Sequence, residues 1–203
     1  MPFKKLNPEL LETINRIGIN EPLPFQEKVL QKIKSGSNIY AIGPDGIGKT
    51  TAIIISTLNK LNYEAFDDAP RAIILVKDKE AALELEEAFK RFTRGSDLRI
   101  FAAYEELKIE IQREAIYLGV DIVIATPKRL SKLYFQNGIN LKLLQLFIIE
   151  DAEFLAKVNF TTEIIRLSES ISKCQYVIFT SQMERKLEVF NTHFMSNSKV
   201  IRN

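Results

Sequence analysis

Six short apolar runs, separated by stretches with helical periodicity, constrain the fold of this chain more than any other feature. They are Asn38–Ile42, Ala72–Val76, Arg99–Ala102, Asp121–Ala125, Leu146–Glu150 and Tyr176–Thr180. Most are rich in Ile, Val, Phe or Tyr and lack the alternation of a half-solvated strand, so they read as strands buried on both faces. The segment between the second and third runs has the clearest helical pattern. Ala82, Leu85, Phe89 and Phe92 share one face from Lys79 to Arg94, with Asp78 placed to cap it and Gly95 to stop it. Strand and helix alternating along a whole chain predict an α/β fold, a mostly parallel sheet with helices on both faces. In such folds ligands bind beyond the carboxyl ends of the strands.

Ahead of this core, Asn7 can cap a first helix with Pro8 in its first turn, Leu10, Ile14 and Ile17 on one face and Gly18 at its end. The turn-rich Glu21-Pro22-Leu23-Pro24 then leads into a second helix from about Phe25 to Ile33. No internal repeat, low-complexity tract or linker divides the 203 residues, and the expectation is a single domain over 1–203, with an entry region at 1–36 and the core at 37–203. Net charge is only +2, so no global field points to a polyanionic partner. No apolar run approaches the ~20 residues of a membrane helix, and no secretory leader is visible. With one cysteine and one histidine, a zinc site of the Cys/His type is not expected, and a cytoplasmic location is. His193 falls in Leu187–Phe194, which reads as a helix, and nothing pairs it with a nucleophile.

The first strand runs directly into Gly43-Pro44-Asp45-Gly46-Ile47-Gly48-Lys49-Thr50-Thr51. This is the spacing of a phosphate-binding loop. Its glycines let backbone N–H groups turn in around a polyphosphate, Lys49 reaches the β and γ phosphates, the Thr50 hydroxyl ligates Mg²⁺, and the following helix aims its positive end at the anion. The chain is therefore expected to bind a nucleoside triphosphate with Mg²⁺.

With that loop as anchor, the chain resembles the first RecA-like domain of DEAD-box RNA helicases, with the motifs in the same order. Gly18-Ile19-Asn20-Glu21-Pro22-Leu23-Pro24-Phe25-Gln26 is similar to the family's adenine-reading segment. The resemblance assigns Gln26 to the adenine edge and the upstream Phe3 to its ring, and hence ATP as the nucleotide; Leu23 stands where the family has a hydroxyl residue. Glu150-Asp151-Ala152-Glu153 occupies the place of the family's name motif with the first two carboxylates exchanged. The resemblance makes Glu150 the residue that holds Mg²⁺, partly through water, and Asp151 the one that positions the attacking water, with Lys49 completing the catalytic set. Thr126-Pro127-Lys128-Arg129 is similar to an RNA-contact motif, and Lys77 and Lys79 retain basic character where a second one lies. Thr180-Ser181-Gln182 takes the place of the motif that couples nucleotide state to RNA. Family members close a second RecA-like domain, supplied in cis or trans, around ATP and RNA. Three alternatives follow: the N-terminal half of an ATP-dependent RNA helicase, which alone binds single-stranded RNA weakly and is nearly inactive; a degenerate, non-catalytic nucleotide- and RNA-binding module of the same fold; or a P-loop ATPase of other purpose.

Overall fold

The computed structural model describes residue 3, residues 6–157 and residues 160–203. Seven parallel strands form one sheet in the order β3-β4-β2-β5-β6-β1-β7. They are β1 (Ile39–Ile42), β2 (Ala72–Leu75), β3 (Ile100–Ala103), β4 (Ile122–Ala125), β5 (Leu146–Ile149), β6 (Gln175–Thr180) and β7 (Lys199–Arg202). The six apolar runs became β1 to β6 with boundaries shifted by a residue or so. The seventh strand, beside β1 at the sheet edge, is a finding of the structure. Its sequence, Lys199-Val200-Ile201-Arg202, has one buried residue, Ile201, and so lacks the apolar run that marks the others.

Side chains alternate across the sheet with the period of two that a strand imposes. Ile39, Ala41, Ile74, Ile122, Ile148, Val177 and Phe179 enter one apolar core, and Tyr40, Ile73, Val123, Phe147, Ile149 and Ile178 the other. The first core is roofed by α1 (Pro8–Arg16), α2 (Pro24–Lys34), α3 (Lys49–Lys60) and α4 (Lys79–Thr93). The second is covered by α5 (Ile109–Tyr117), α6 (Pro127–Phe135), α8 (Thr161–Glu169) and α9 (Arg185–Glu188), with the single turn α7 (Phe154–Lys157) between them in sequence.

Local chemistry sets the helix ends. The Asn7 side chain accepts from the Glu9 and Leu10 amides at 2.9 and 3.2 Å, and Asp78 accepts from the Ala81 amide at 2.9 Å. Gly95 follows α4 with φ +91°. The expected helix through His193 is broken: α9 passes into a 3₁₀ turn at Val189–Thr192, and His193 leaves it with φ −122°. Among the described residues no helix is long and apolar enough to cross a membrane.

Beneath β2, β3 and β4, at their amino ends, lies a charged node that the sequence reading did not single out. Asp121 is fully buried and accepts from Arg71 Nη2 at 2.8 Å, Arg99 Nε at 2.9 Å, and the amides of Phe66 and Arg99 at 3.0 and 3.1 Å. Burial alone would raise its pKa; these bonds outweigh burial and lower it.

Candidate nucleotide site

The carboxyl ends of β1, β5 and β6 meet at one point because β5 pairs with β6 and β6 with β1. The phosphate loop leaves β1 there. Its first amide, on Gly43, donates to Thr180 O at 3.0 Å, and the turn after β5 is tied to the same strand by Ala152 N to Phe179 O at 2.8 Å. Gly46 and Gly48 take the left-handed region at φ +79° and +87°, which folds the loop back over the start of α3. A Cβ at Gly48 would also collide with the Gln26 side chain.

Lys49 is 7% exposed, and its ammonium is held by two carboxylates, Asp45 Oδ1 at 3.0 Å and Asp151 Oδ1 at 2.8 Å. Desolvation pulls the Lys49 pKa down, but the hydrogen bonds and charges of Asp151 and Asp45 outweigh it and raise the pKa. Beside this clamp the Thr50 hydroxyl donates to Glu150 Oε1 at 3.1 Å. A hydroxyl and a carboxylate at that separation form the hard oxygen set that Mg²⁺ accepts, directly or through water. Thr51 follows, partly buried, in the first turn of α3. Asp151 sits at φ +45°, an uncommon conformation for a residue with a side chain, which turns its carboxylate back towards Lys49. The next acid in the turn, Glu153, accepts from the Ser181 amide. The Thr180 hydroxyl donates to Gln182 O at 2.6 Å, and Gln182 Nε2 donates to Glu184 at 2.6 Å. The two turns are thereby fastened to each other, and Glu153 has a role that its place four residues into an acidic cluster did not disclose.

Gln26 is 5% exposed and braces the loop. Its Oε1 accepts from Leu23 N at 2.9 Å, and its Nε2 donates to Gly48 O at 3.0 Å. An amide carries two N–H bonds and two lone pairs on oxygen, so one donor and one acceptor remain for a base. Phe3 departs from the expectation. At 5% exposure it belongs to the apolar core that also holds Leu10, Ile14 and Phe25, so its ring is not presented as an open platform for adenine. An aromatic side chain is stabilised by about 1.5–3 kcal/mol on full burial, which favours the core position in the chain as it stands.

The expected RNA-contact residues lie at the carboxyl ends of β2 and β4, which are adjacent in the sheet. Lys77 and Lys128 are exposed there, and Lys79 lies with its ammonium 5.6 Å from the Tyr104 ring centre. Thr126, Pro127 and Arg129, which the resemblance assigns to RNA contact, are all buried. The Thr126 hydroxyl donates to Glu105 at 2.7 Å, and Arg129 Nη2 donates to the carbonyls of Glu105 and Leu107 at 2.6 and 3.1 Å. Gln112, also buried, grips the same loop through Tyr104 O and Leu107 O at 2.9 and 2.7 Å. Nothing in the spacing of Thr126 and Arg129 distinguishes a contact to a nucleic-acid phosphate from a contact to the chain's own carbonyls.

The model of the DEAD/DEAH box helicase family matches residues 23–190. The chain belongs to that family. It is 27% identical over 198 residues to the ATP-dependent RNA helicase DBP10 of Phaeosphaeria nodorum, covering 97% of this chain and 23% of that protein. It is 26% identical over 202 residues to the ATP-dependent RNA helicase DeaD of Buchnera aphidicola, covering 98% of this chain and 33% of that protein. Among solved structures, a DEAD box protein from the hyperthermophile Methanococcus jannaschii superposes with a TM-score of 0.88 at 22% identity, over 97% of this chain and 53% of that one. The chain thus spans between about a quarter and a third of the length of these curated relatives. The expected RecA-like α/β fold, and the resemblance drawn from the ordered motifs, are both borne out.

Proposed function

We propose that this chain is the ATP- and Mg²⁺-binding module of an RNA helicase, and that it contacts single-stranded RNA weakly through Lys77, Lys79 and Lys128. The observation that carries the reading is the clustering of Lys49, Thr50, Glu150 and Asp151 at one point, with Lys49–Asp151 at 2.8 Å and Thr50–Glu150 at 3.1 Å. Lys49 offers the mobile cation for the terminal phosphates, and the first turn of α3 directs backbone N–H groups at the anion. Thr50 and Glu150 hold the metal, which when bound neutralises charge on the phosphate oxygens. Gln26 meets the adenine edge with its remaining donor and acceptor while still bracing Gly48. In this reading Asp151 orients the attacking water, with a side chain one methylene shorter than the family's glutamate. A second RecA-like domain completes the RNA groove and supplies the cations that stabilise the transferring phosphoryl group.

The exchanged carboxylates favour a second reading, a non-catalytic module that binds nucleotide and RNA to regulate or scaffold. Displacing a catalytic group by about 1 Å can cost on the order of 10²-fold in rate. A metal held through water tolerates the change better. Joining the chain to the second domain of an active relative, and comparing the native pair with the double exchange Glu150→Asp and Asp151→Glu, separates the two. A large gain in RNA-stimulated ATPase on restoring the usual order supports the regulatory module; equal, robust activity supports the helicase.

The binding site itself is tested by calorimetry. Mg²⁺–ADP is expected to bind more tightly than Mg²⁺–GDP, and Lys49→Ala to weaken binding roughly ten- to a hundredfold, the range of one charge-assisted contact. Unchanged affinity in Lys49→Ala would remove the loop as the site.

A further inference from the structure

Asp45 lies inside the phosphate loop, where the turned-in backbone and the start of α3 favour an anionic ligand. Its side chain is 92% exposed, yet its Oδ1 lies 3.0 Å from Lys49 Nζ, reaching across the loop to the first residue of α3. Asp151 takes a second direction on the same ammonium at 2.8 Å. Lys49 has three N–H bonds, and two are committed to carboxylates. Glu150, bonded to the Thr50 hydroxyl at 3.1 Å, adds a further acid. The side chains of the site therefore set one lysine against two acids in direct contact and a third close by. That is a poor electrostatic match for a polyphosphate and a good one for a cation.

Resting on the nucleotide-site reading above, we infer that Asp45 is an affinity-setting residue, whose carboxylate holds Lys49 in the place of the nucleotide's terminal phosphates and is displaced when they bind. The exposure of Asp45 makes it a competitor and not a barrier: released from Lys49, its carboxylate turns into water at little cost. After release its charge still lies near the phosphates, so Asp45 opposes a nucleoside di- or triphosphate both before and after binding. Divalent metal offsets that charge, and the nucleotide's dependence on Mg²⁺ is correspondingly steep. The role belongs to the charge, so glutamate preserves it and the isosteric amide abolishes it.

The experiment compares the parent chain with Asp45→Asn and Asp45→Glu in fluorescence titrations with ADP and ATP, each at two salt and two Mg²⁺ concentrations. At low salt Asp45→Asn is expected to bind both nucleotides more tightly, on the order of fivefold, as suits a largely exposed charge pair. The gain should shrink at high salt, grow as Mg²⁺ is lowered, and be missing from Asp45→Glu. Equal affinity of parent and Asp45→Asn at low salt overturns the proposal. Weaker binding by Asp45→Asn also overturns it, since the carboxylate would then be aiding the bound metal. No binding by the parent or either variant removes the nucleotide site itself, and this proposal with it.

Discussion

Glu150 carries the most informative single environment in the molecule. Burial pushes its pKa up to about 7 and the neighbouring Asp151 charge pushes the same way, while the Thr50 hydroxyl and Lys49 pull back. The folded chain therefore keeps this proton to a higher pH than the unfolded chain, whose carboxyl titrates near 4.5. Between those values the folded state binds more protons, so this group's contribution to stability is full below the lower value and is lost as pH rises through the upper one. Thermal melts from pH 4.5 to 8 without nucleotide should show the parent losing more stability over that window than Glu150→Gln, which has no proton to lose. Parallel curves would show that Glu150 is solvated like an ordinary surface acid. At this scale the sequence was legible for identities and less so for engagements. The phosphate-loop spacing found Lys49 and Thr50 because a polyphosphate with its metal demands those residue types there, and the family resemblance pointed to Glu150 and Asp151. It gave no sign that Asp45 would close on Lys49 or that Phe3 would bury its ring, because both outcomes depend on what neighbours in space leave open.

Elements were legible wherever the hydrophobic period was strong. β1 to β6 and α4 appear where their apolar patterns place them, whereas β7, with a single buried residue, carries too weak a pattern to stand out. The helix expected through His193 shortens because Leu187 and Phe190 are the only residues from Arg185 to Thr192 that reach the core, too few to hold two full turns. The start of α6 shows how an element can serve two ends at once. Arg129 fastens the loop after β3 from within, while Lys128 beside it faces solvent. Arg129→Ala should therefore lower the melting temperature in the absence of any ligand, at a cost of about 1–3 kcal/mol for the carbonyls it releases. The estimate belongs at the low end, since Nε and Nη1 of Arg129 find no protein partner among the described residues. Lys128→Ala should leave the melt unchanged and weaken RNA binding with little sequence preference. Unfolding curves beside RNA titrations at two salt concentrations make the comparison. An Arg129→Ala protein as stable as the parent would return that arginine to the contact face.

For the whole molecule, binding and stability are placed at opposite ends of the sheet. The nucleotide loop lies at the carboxyl ends of the strands, and the node of Asp121, Arg71 and Arg99 at the amino ends of β4, β2 and β3. Removing one partner of a buried ion pair costs about 3–5 kcal/mol because the other charge is left unpaired. Asp121→Ala should therefore lower the melting temperature by roughly 10 °C for a chain of this size, while the folded fraction binds nucleotide as before. Calorimetry corrected for folded fraction tests both halves, and a fall in affinity per folded molecule would mean that the two ends are coupled. The node escaped sequence reading because an acid ahead of an apolar run looks like any strand-edge residue until its two arginines, one from each flanking strand, are seen around it. The strand order also governs how the site comes into being. β1, which carries the phosphate loop, pairs with β6 and β7, the two strands furthest along the chain from it. On a ribosome the loop would wait for its strand partners until more than a hundred further residues had followed, since β6 begins only at Gln175. Such long-range pairing is slow to form, so the competence to hold nucleotide is acquired late, with the closure of the sheet around β1.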